Sequence, residues 1–344
     1  MGHIRRLLLT IFVLFSLLIL YGCGPKPTLA EYMKPELLYL QEAPYRSLYV
    51  EVDVVEGSEV SDEWLDVLKE FLETHCSMPD GIKIVCDEPV PLDEIRDLQI
   101  GPASIVCIDG PDPLLSSQPA YLHVFFYNWK KTFKKAELAS HIISNCPNTI
   151  FFPTDKIFQK NIASCALQHE AGHVLGLCKD TFHGDGAHCK NNNCLMNPSP
   201  GLLSDIELIF GVQVEKSLCN DCLNDLEKYK SESTDPNLTF YGPFLVRKEK
   251  GYLVANLPYC AYIIPESFEN KFDWHDLLAV IKQQCREQKN RYFLNGILIA
   301  KRLDDSPADM SLYRDIFAKA ANDPDPMVRQ YAIQELKKLE NKQQ

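Results

Sequence analysis

The chain lacks any surplus of basic charge. Its 344 residues carry 35 Lys and Arg against 47 Asp and Glu, a formal net charge of −12, and the basic residues are spread without a block. Such a field repels phosphate backbones and anionic lipid headgroups, which excludes nucleic acid and an acidic membrane surface as electrostatic partners. A membrane-spanning apolar run is lacking too. The stretch "LLLTIFVLFSLLILYG" behind Arg5 and Arg6 stops at Cys23, short of the roughly 20 residues that a spanning helix needs. What is present is an ordinary globular balance, 46% hydrophobic and 24% charged, at a length that suits roughly one to three domains with packed cores.

A basic start followed by a short apolar run has the shape of an export signal. "LYGC" resembles a bacterial lipobox, although Tyr21 is bulkier than is usual there. The resemblance implies that residues 1–22 are a lipoprotein signal peptide and that Cys23 is lipidated and becomes the mature N-terminus. It also implies that the rest of the chain is held to a membrane of the bacterial cell envelope, facing away from the cytoplasm. The three prolines of "GPKPTLAEYMKPE" block regular structure, so residues 23–41 are expected to be a tether. Of 13 cysteines, 12 remain beside Cys23. In an exported chain that number suggests disulfides, metal ligands or both.

Along the mature chain, "SLYVEVDVV" alternates apolar and other residues and reads as a strand. "SDEWLDVLKEFLETHC" reads as a helix capped by Ser61, with Trp64, Leu65, Leu68, Phe71 and Leu72 on one stripe. "GIKIVCD", "ASIVCID", "YLHVFFYNW" and "NTIFFPTD" are further strand candidates. A second helix is expected from Phe158 to Leu175, with Leu167, Ala171, Val174 and Leu175 as its apolar stripe and Gly176 at its stop. This mixed order predicts one α+β domain over residues 42–232. A mainly helical domain is expected over 233–344, after two strand-like runs, "FYGPFLV" and "YLVANLPYCAYII". Its last segment, "NDPDPMVRQYAIQELKKL", resembles one HEAT-type repeat helix, with Asp323, Pro326, Val328, Arg329, Ala332 and Leu336 in suggestive places. An amphipathic closing helix explains that segment equally well, since repeats need stacked copies.

The chemistry concentrates in "HEAGHVLGLCKD". His169 and His173 stand one helical turn apart and project from the same face. A catalytic zinc takes three protein ligands and leaves a position for water. Two of the three are here, and Glu170 beside them can act as general base without ligating. Downstream, the residues offer His188, His183 and Asp180 as candidates for the third.

"HExxHxxG" resembles the metzincins, whose third histidine lies three residues past the glycine. Lys179 occupies that position here. The later string "HCKNNNCLM", followed by "CNDC", resembles the archaemetzincin pattern. The resemblance implies that His188, nine residues later than the usual place, is the third zinc ligand, and that 177–187 carry an insertion. It further implies that Met196 is the Met-turn residue, packed under the imidazoles, and that Cys189, Cys194, Cys219 and Cys222 hold a structural zinc. Two disulfides are the competing account of those four cysteines. The fold implied is a metzincin-like zincin domain, a mixed twisted sheet plus the active-site helix.

The activity implied is zinc-dependent hydrolysis of peptide bonds in a peptide or protein substrate, as an endopeptidase or aminopeptidase. Pro198 stands where some metzincins have a tyrosine that steadies the transition state. The competing account is a non-enzymatic envelope lipoprotein that zinc only stabilises and whose C-terminal helices bind a partner.

Overall fold

The computed structural model describes residues 34–95, 107–111, 118–128, 131, 148–154, 160–179, 182–197, 216–257, 260–266, 274–287, 297–299, 310–323 and 326–341. The signal peptide, Cys23 and Asp180 lie outside them, as do Pro198 and most of "ASIVCID". None of the described helices is long and apolar enough to cross a membrane.

The first sheet is built from β1 (Leu48–Val54), β2 (Ile82–Cys86), β3 (Ala120–Tyr127) and β4 (Thr149–Pro153), in the order β2-β1-β3-β4. All three pairings are parallel, with Leu48 opposite both Ile82 and Ala120, and His123 opposite Thr149. Parallel neighbours need long crossovers. Between β1 and β2 the crossover is a helix over Asp62–His75. Of the two strand candidates "YLHVFFYNW" and "NTIFFPTD", the first is interior and the second is outermost among the described residues.

A parallel sheet covered on both faces buries both sides of its strands. The alternation in β1 is accordingly not a solvent face: Glu51 and Asp53 are buried with their apolar neighbours. The Asp62–His75 helix buries Trp64, Leu68, Phe71 and Leu72 as expected. The Trp64 ring packs 6.4 Å from Phe126 and 6.1 Å from Phe152, which seats this helix on β3 and β4. Ser61 is extended at the N-cap, but its hydroxyl makes no capping bond. Asp62 and Glu63 instead give the first turn the negative charge that its free amides favour.

The tether is shorter than expected. Residues 37–40, "LLYL", form a short helix, α1, whose four side chains are buried, and Tyr39 donates a hydrogen bond to the Tyr121 carbonyl at 2.8 Å. Residues 23–33 of the expected tether lie outside the described residues, and Pro35 is already buried. Beyond it the chain offers apolar side chains, and these join the core.

After the site region comes a helix over Asn220–Ser231, followed by a five-stranded sheet in the order β5 (Leu238–Tyr241), β6 (Phe244–Glu249), β7 (Tyr252–Leu257), β8 (Cys260–Pro265) and β9 (Ile297–Ile299). Each expected strand-like run is in fact a hairpin. "FYGPFLV" holds the β5–β6 turn, where Gly242 takes φ +56° against the Trp274 ring, and "YLVANLPYCAYII" holds β7 and β8. With three helices over Trp274–Glu287, Met310–Ala320 and Pro326–Asn341, the C-terminal region is mixed rather than mainly helical. The last two helices pack as one pair on β7 and β8 through Tyr252, Val254, Ile263, Phe317, Val328 and Ala332. The segment that resembles a HEAT-type helix is the second member of that pair.

The two sheets share a core. One apolar cluster runs from Leu37 through Phe240, Phe244 and Leu277 to Ile281. The Tyr45 hydroxyl meets Thr239 at 2.6 Å, and Asn148 donates to the Pro243 carbonyl at 3.1 Å.

Candidate metal centres

The helix that carries the histidines spans Lys160–Val174 and buries Leu167, Ala171 and Val174. It stops as the sequence predicts. Gly176 takes φ +76°, its N–H reaches the His173 carbonyl and the Leu177 N–H reaches that of Gly172, both at 3.0 Å. These paired bonds form a Schellman cap around a residue that glycine tolerates best.

Beyond the cap the chain makes an excursion and returns. Gly184 and Cys189 pair as an isolated antiparallel bridge, and the Lys190 N–H bonds the His183 carbonyl at 3.0 Å. The tip of this hairpin is held by the Asp185 carboxylate, which accepts the Ala187 and His188 amides at 3.0 and 2.7 Å. The turn delivers His188 to the helix. The ring of His188 lies 5.4 Å from that of His169 and 5.2 Å from that of His173, and one nitrogen from each of the three falls within a common 4.8 Å. His183, the rival third ligand, lies elsewhere, against Cys178 and Cys222.

Two features prepare these imidazoles for a cation. The Nδ1 of His169 lies 2.7 Å from the Leu195 carbonyl, so it carries the proton and leaves Nε2 with its lone pair inward. That Nε2 is 3.1 Å from Nε2 of His173. Burial, then the neighbouring His169 and His188, push the pKa of His173 down to about 3, and burial lowers that of His169. The rings of His169 and His173 are therefore neutral at neutral pH. Three imidazole nitrogens so closely spaced form a donor set that suits a borderline divalent metal. Beside them, burial raises the Glu170 carboxyl to about 7.

The second group is Cys189, Cys194, Cys219 and Cys222, whose sulfurs also lie within 4.8 Å of one another. None is in a disulfide, and the contacts Cys189–Cys219 and Cys194–Cys222 are both 3.6 Å. The loop pair, Cys189 and Cys194, meets the pair at the start of the Asn220–Ser231 helix, where Cys219 is the N-cap and Cys222 lies in the first turn. Burial first raises Cys189 to about 11, while Cys194, through its contact with Cys222 and then burial, rises further. Backbone amides of Asn191, Met196 and Cys219 point at the Cys189 and Cys194 sulfurs at 3.4 Å, an arrangement that stabilises thiolates once a cation displaces the protons.

The segment between the groups joins them. The Leu195 carbonyl orients His169, the Met196 amide donates to Cys194, and the Met196 carbonyl accepts the Cys189 amide at 2.8 Å. Met196 is fully buried under Gly172, the residue before His173 on the helix. Lys179, at the usual third-ligand position, is engaged otherwise: its ammonium bonds the buried Glu36 carboxylate at 2.7 Å.

Sequence reading passed over one more polar cluster. Glu51 accepts the Asp109 and Gly110 amides, each at 2.6 Å, and the Tyr121 hydroxyl at 3.1 Å; Asp53 meets His123 at 2.8 Å. Burial raises Glu51 to about 7 and lowers His123 to about 4. With Asp87 these acids could bracket a cation, but Glu51 is already saturated by donors of its own fold. An acid at every second position of a β-rich run is its only sequence signal, and that pattern normally marks a wet face.

The chain matches no family model, no curated protein and no solved structure.

Proposed function

We propose that the protein is a zinc metallopeptidase of metzincin-like fold, with His169, His173 and His188 as ligands of the catalytic zinc and Glu170 as general base. The observation that carries this reading is the convergence of three imidazoles, from a helix and the hairpin that follows it, on the helix that also bears the half-buried Glu170. A zinc held there would polarise a peptide carbonyl and acidify a water molecule. The chain's own groups do the rest. Glu170 takes a proton from the attacking water and hands it to the departing amine, while the Leu195 carbonyl keeps His169 in the ligating tautomer. Met196 supplies an apolar floor with no polar atom to compete for the metal.

Two further features support the reading. The helix that bears the histidines follows the outermost described strand of a parallel sheet, and the cysteines of the archaemetzincin-like string gather into one group next to the imidazoles. This second group is read as a structural zinc site, and the N-terminal lipobox as a membrane anchor. A purely structural role for the histidine site leaves Glu170 without a purpose, since a closed site needs no base.

The test is metal analysis and peptide hydrolysis on wild type and His188→Ala. The expected result is loss of one zinc and of hydrolysis in the variant, with secondary structure retained. Full zinc and full hydrolysis in His188→Ala would remove His188 from the site.

A further inference from the structure

The four-cysteine group does not stand alone. Cys178 and His183, both from the insertion, form a second four-ligand set with Cys189 and Cys222, again with all ligand atoms within 4.8 Å. The two sets overlap in two thiols. The Cys222 sulfur is the clearest case: it lies 3.6 Å from Cys194 Sγ on one side, and 3.7 Å from Cys178 Sγ and 3.5 Å from His183 Nε2 on the other. Cys178 Sγ and His183 Nε2 are 3.9 Å apart. Bonds of about 2.0–2.3 Å to a tetrahedral zinc place its ligand atoms about 3.5–3.8 Å apart. The observed contacts follow that edge length on both sides of Cys222.

A second observation points the same way. Cys178 is fully buried and sits at φ +63°, in the left-handed region that a β-carbon disfavours. Such a conformation costs about 1–3 kcal/mol and persists where surroundings enforce it. Here it turns the thiol inward onto Cys222. The Asp225 carboxylate, 3.5 Å from His183 Nε2, adds to the negative potential that a cation would meet.

One tetrahedral ion uses four ligands, and six are gathered. We infer that this is a two-metal thiolate cluster: one ion held by Cys194 and Cys219, the other by Cys178 and His183, with the Cys189 and Cys222 sulfurs bridging both. The inference rests on the reading of the four cysteines as a metal site and extends it. The ions are zinc or another thiophilic divalent metal. On loading, five thiols each release one proton to solvent and His183 binds as neutral imidazole, so two dications and five thiolates leave a net charge of −1. The insertion that moves the third histidine out of its usual place thus brings the ligands that pin it. Cys178 and His183 fix one arm of the hairpin, Cys189 fixes the other, and His188 is carried between them.

The test loads the full chain, in detergent and under reducing conditions, with isotopically enriched cadmium and records cadmium NMR with total metal content. The expected result is three ions per chain, one at the three histidines and two in the thiolate cluster, with two resonances in the thiolate-rich range split by scalar coupling through the shared sulfurs. His183→Ala should lose one of the coupled pair and abolish the splitting, while His188→Ala should lose the nitrogen-rich resonance and keep the pair. A single unsplit thiolate resonance in wild type that also survives His183→Ala would overturn the two-metal cluster and leave the four-cysteine site standing. No thiolate resonance at all would overturn both. The wild-type spectrum decides even where a variant folds poorly.

Discussion

Met196 is packed against Gly172 so closely that a β-carbon at position 172 would lie 2.3 Å from its sulfur and 3.1 Å from its terminal methyl. Glycine between His169 and His173 is therefore a packing requirement. Gly172→Ala should improve helix propensity by about 1 kcal/mol, yet the overlap should outweigh this and cost about 1–3 kcal/mol net. Urea denaturation checks the sign. A double variant that also shortens Met196 should recover part of the loss, a non-additivity that independent sites would not show.

Lys179 and Glu36 form an ion pair in which the carboxylate is buried and the lysine is a third exposed. Lys179→Met would strand the carboxylate against the end of the histidine helix. The expected cost is about 1–3 kcal/mol, below that of a fully buried pair because solvent reaches the lysine. Glu36→Gln combined with Lys179→Met should be closer to wild type than Lys179→Met alone, as measured by thermal melting.

Much of this arrangement can be read from local patterns, because local spacing dictates it. Residues four apart on a helix share a face, which puts His169 beside His173; a glycine at the αL position ends the helix, and Gly176 does so. What escapes local reading is set by partners distant in the chain. Lys179 looks like a lost ligand until Glu36 appears beside it, 143 positions away. Cys178 looks like a core cysteine until the hairpin brings His183 and the Asn220–Ser231 helix brings Cys222 onto it. The alternation of β1 suggests one wet face, but the Asp109–Gly110 segment, Tyr121 and His123 close over Glu51 and Asp53. In the C-terminal region, "YGP" interrupts a β-rich run, and the run is two antiparallel strands rather than one.

Asp323 ties the last helix pair to the second sheet. Its two carboxylate oxygens accept from the single Nη2 of Arg247, at 2.8 and 3.0 Å, and one of them from the Tyr252 hydroxyl at 2.5 Å. Removing the carboxylate leaves the buried Arg247 with Glu249 as its remaining partner, so the expected cost lies below the about 3–5 kcal/mol of a fully stranded charge. Asp323→Ala should therefore expose the segment after residue 310 to limited proteolysis while leaving metal content unchanged. A protease-resistant variant would show that the apolar contacts of Phe317 and Val328 suffice.

Cys194 receives the amides of Met196 and Cys219, so the cysteine group should support the histidine group mechanically. Cys194→Ser should lower metal in both groups and reduce stability, whereas His188→Ala should lower metal only at the imidazoles. Chelation of wild type should reproduce the larger effect, because binding free energy at a closed site is folding free energy. Equal losses from the two substitutions would separate the groups.

The central claim is that Glu170 is a catalytic base beside a bound zinc. Digestion of a peptide library by wild type and Glu170→Gln in parallel, each with its metal content measured, tests it most directly. The account predicts that both proteins hold the same metal and that the variant loses about 10²–10⁴-fold in cleavage rate. Identical digestion patterns from the two proteins, or no cleavage by fully metal-loaded wild type, would contradict it.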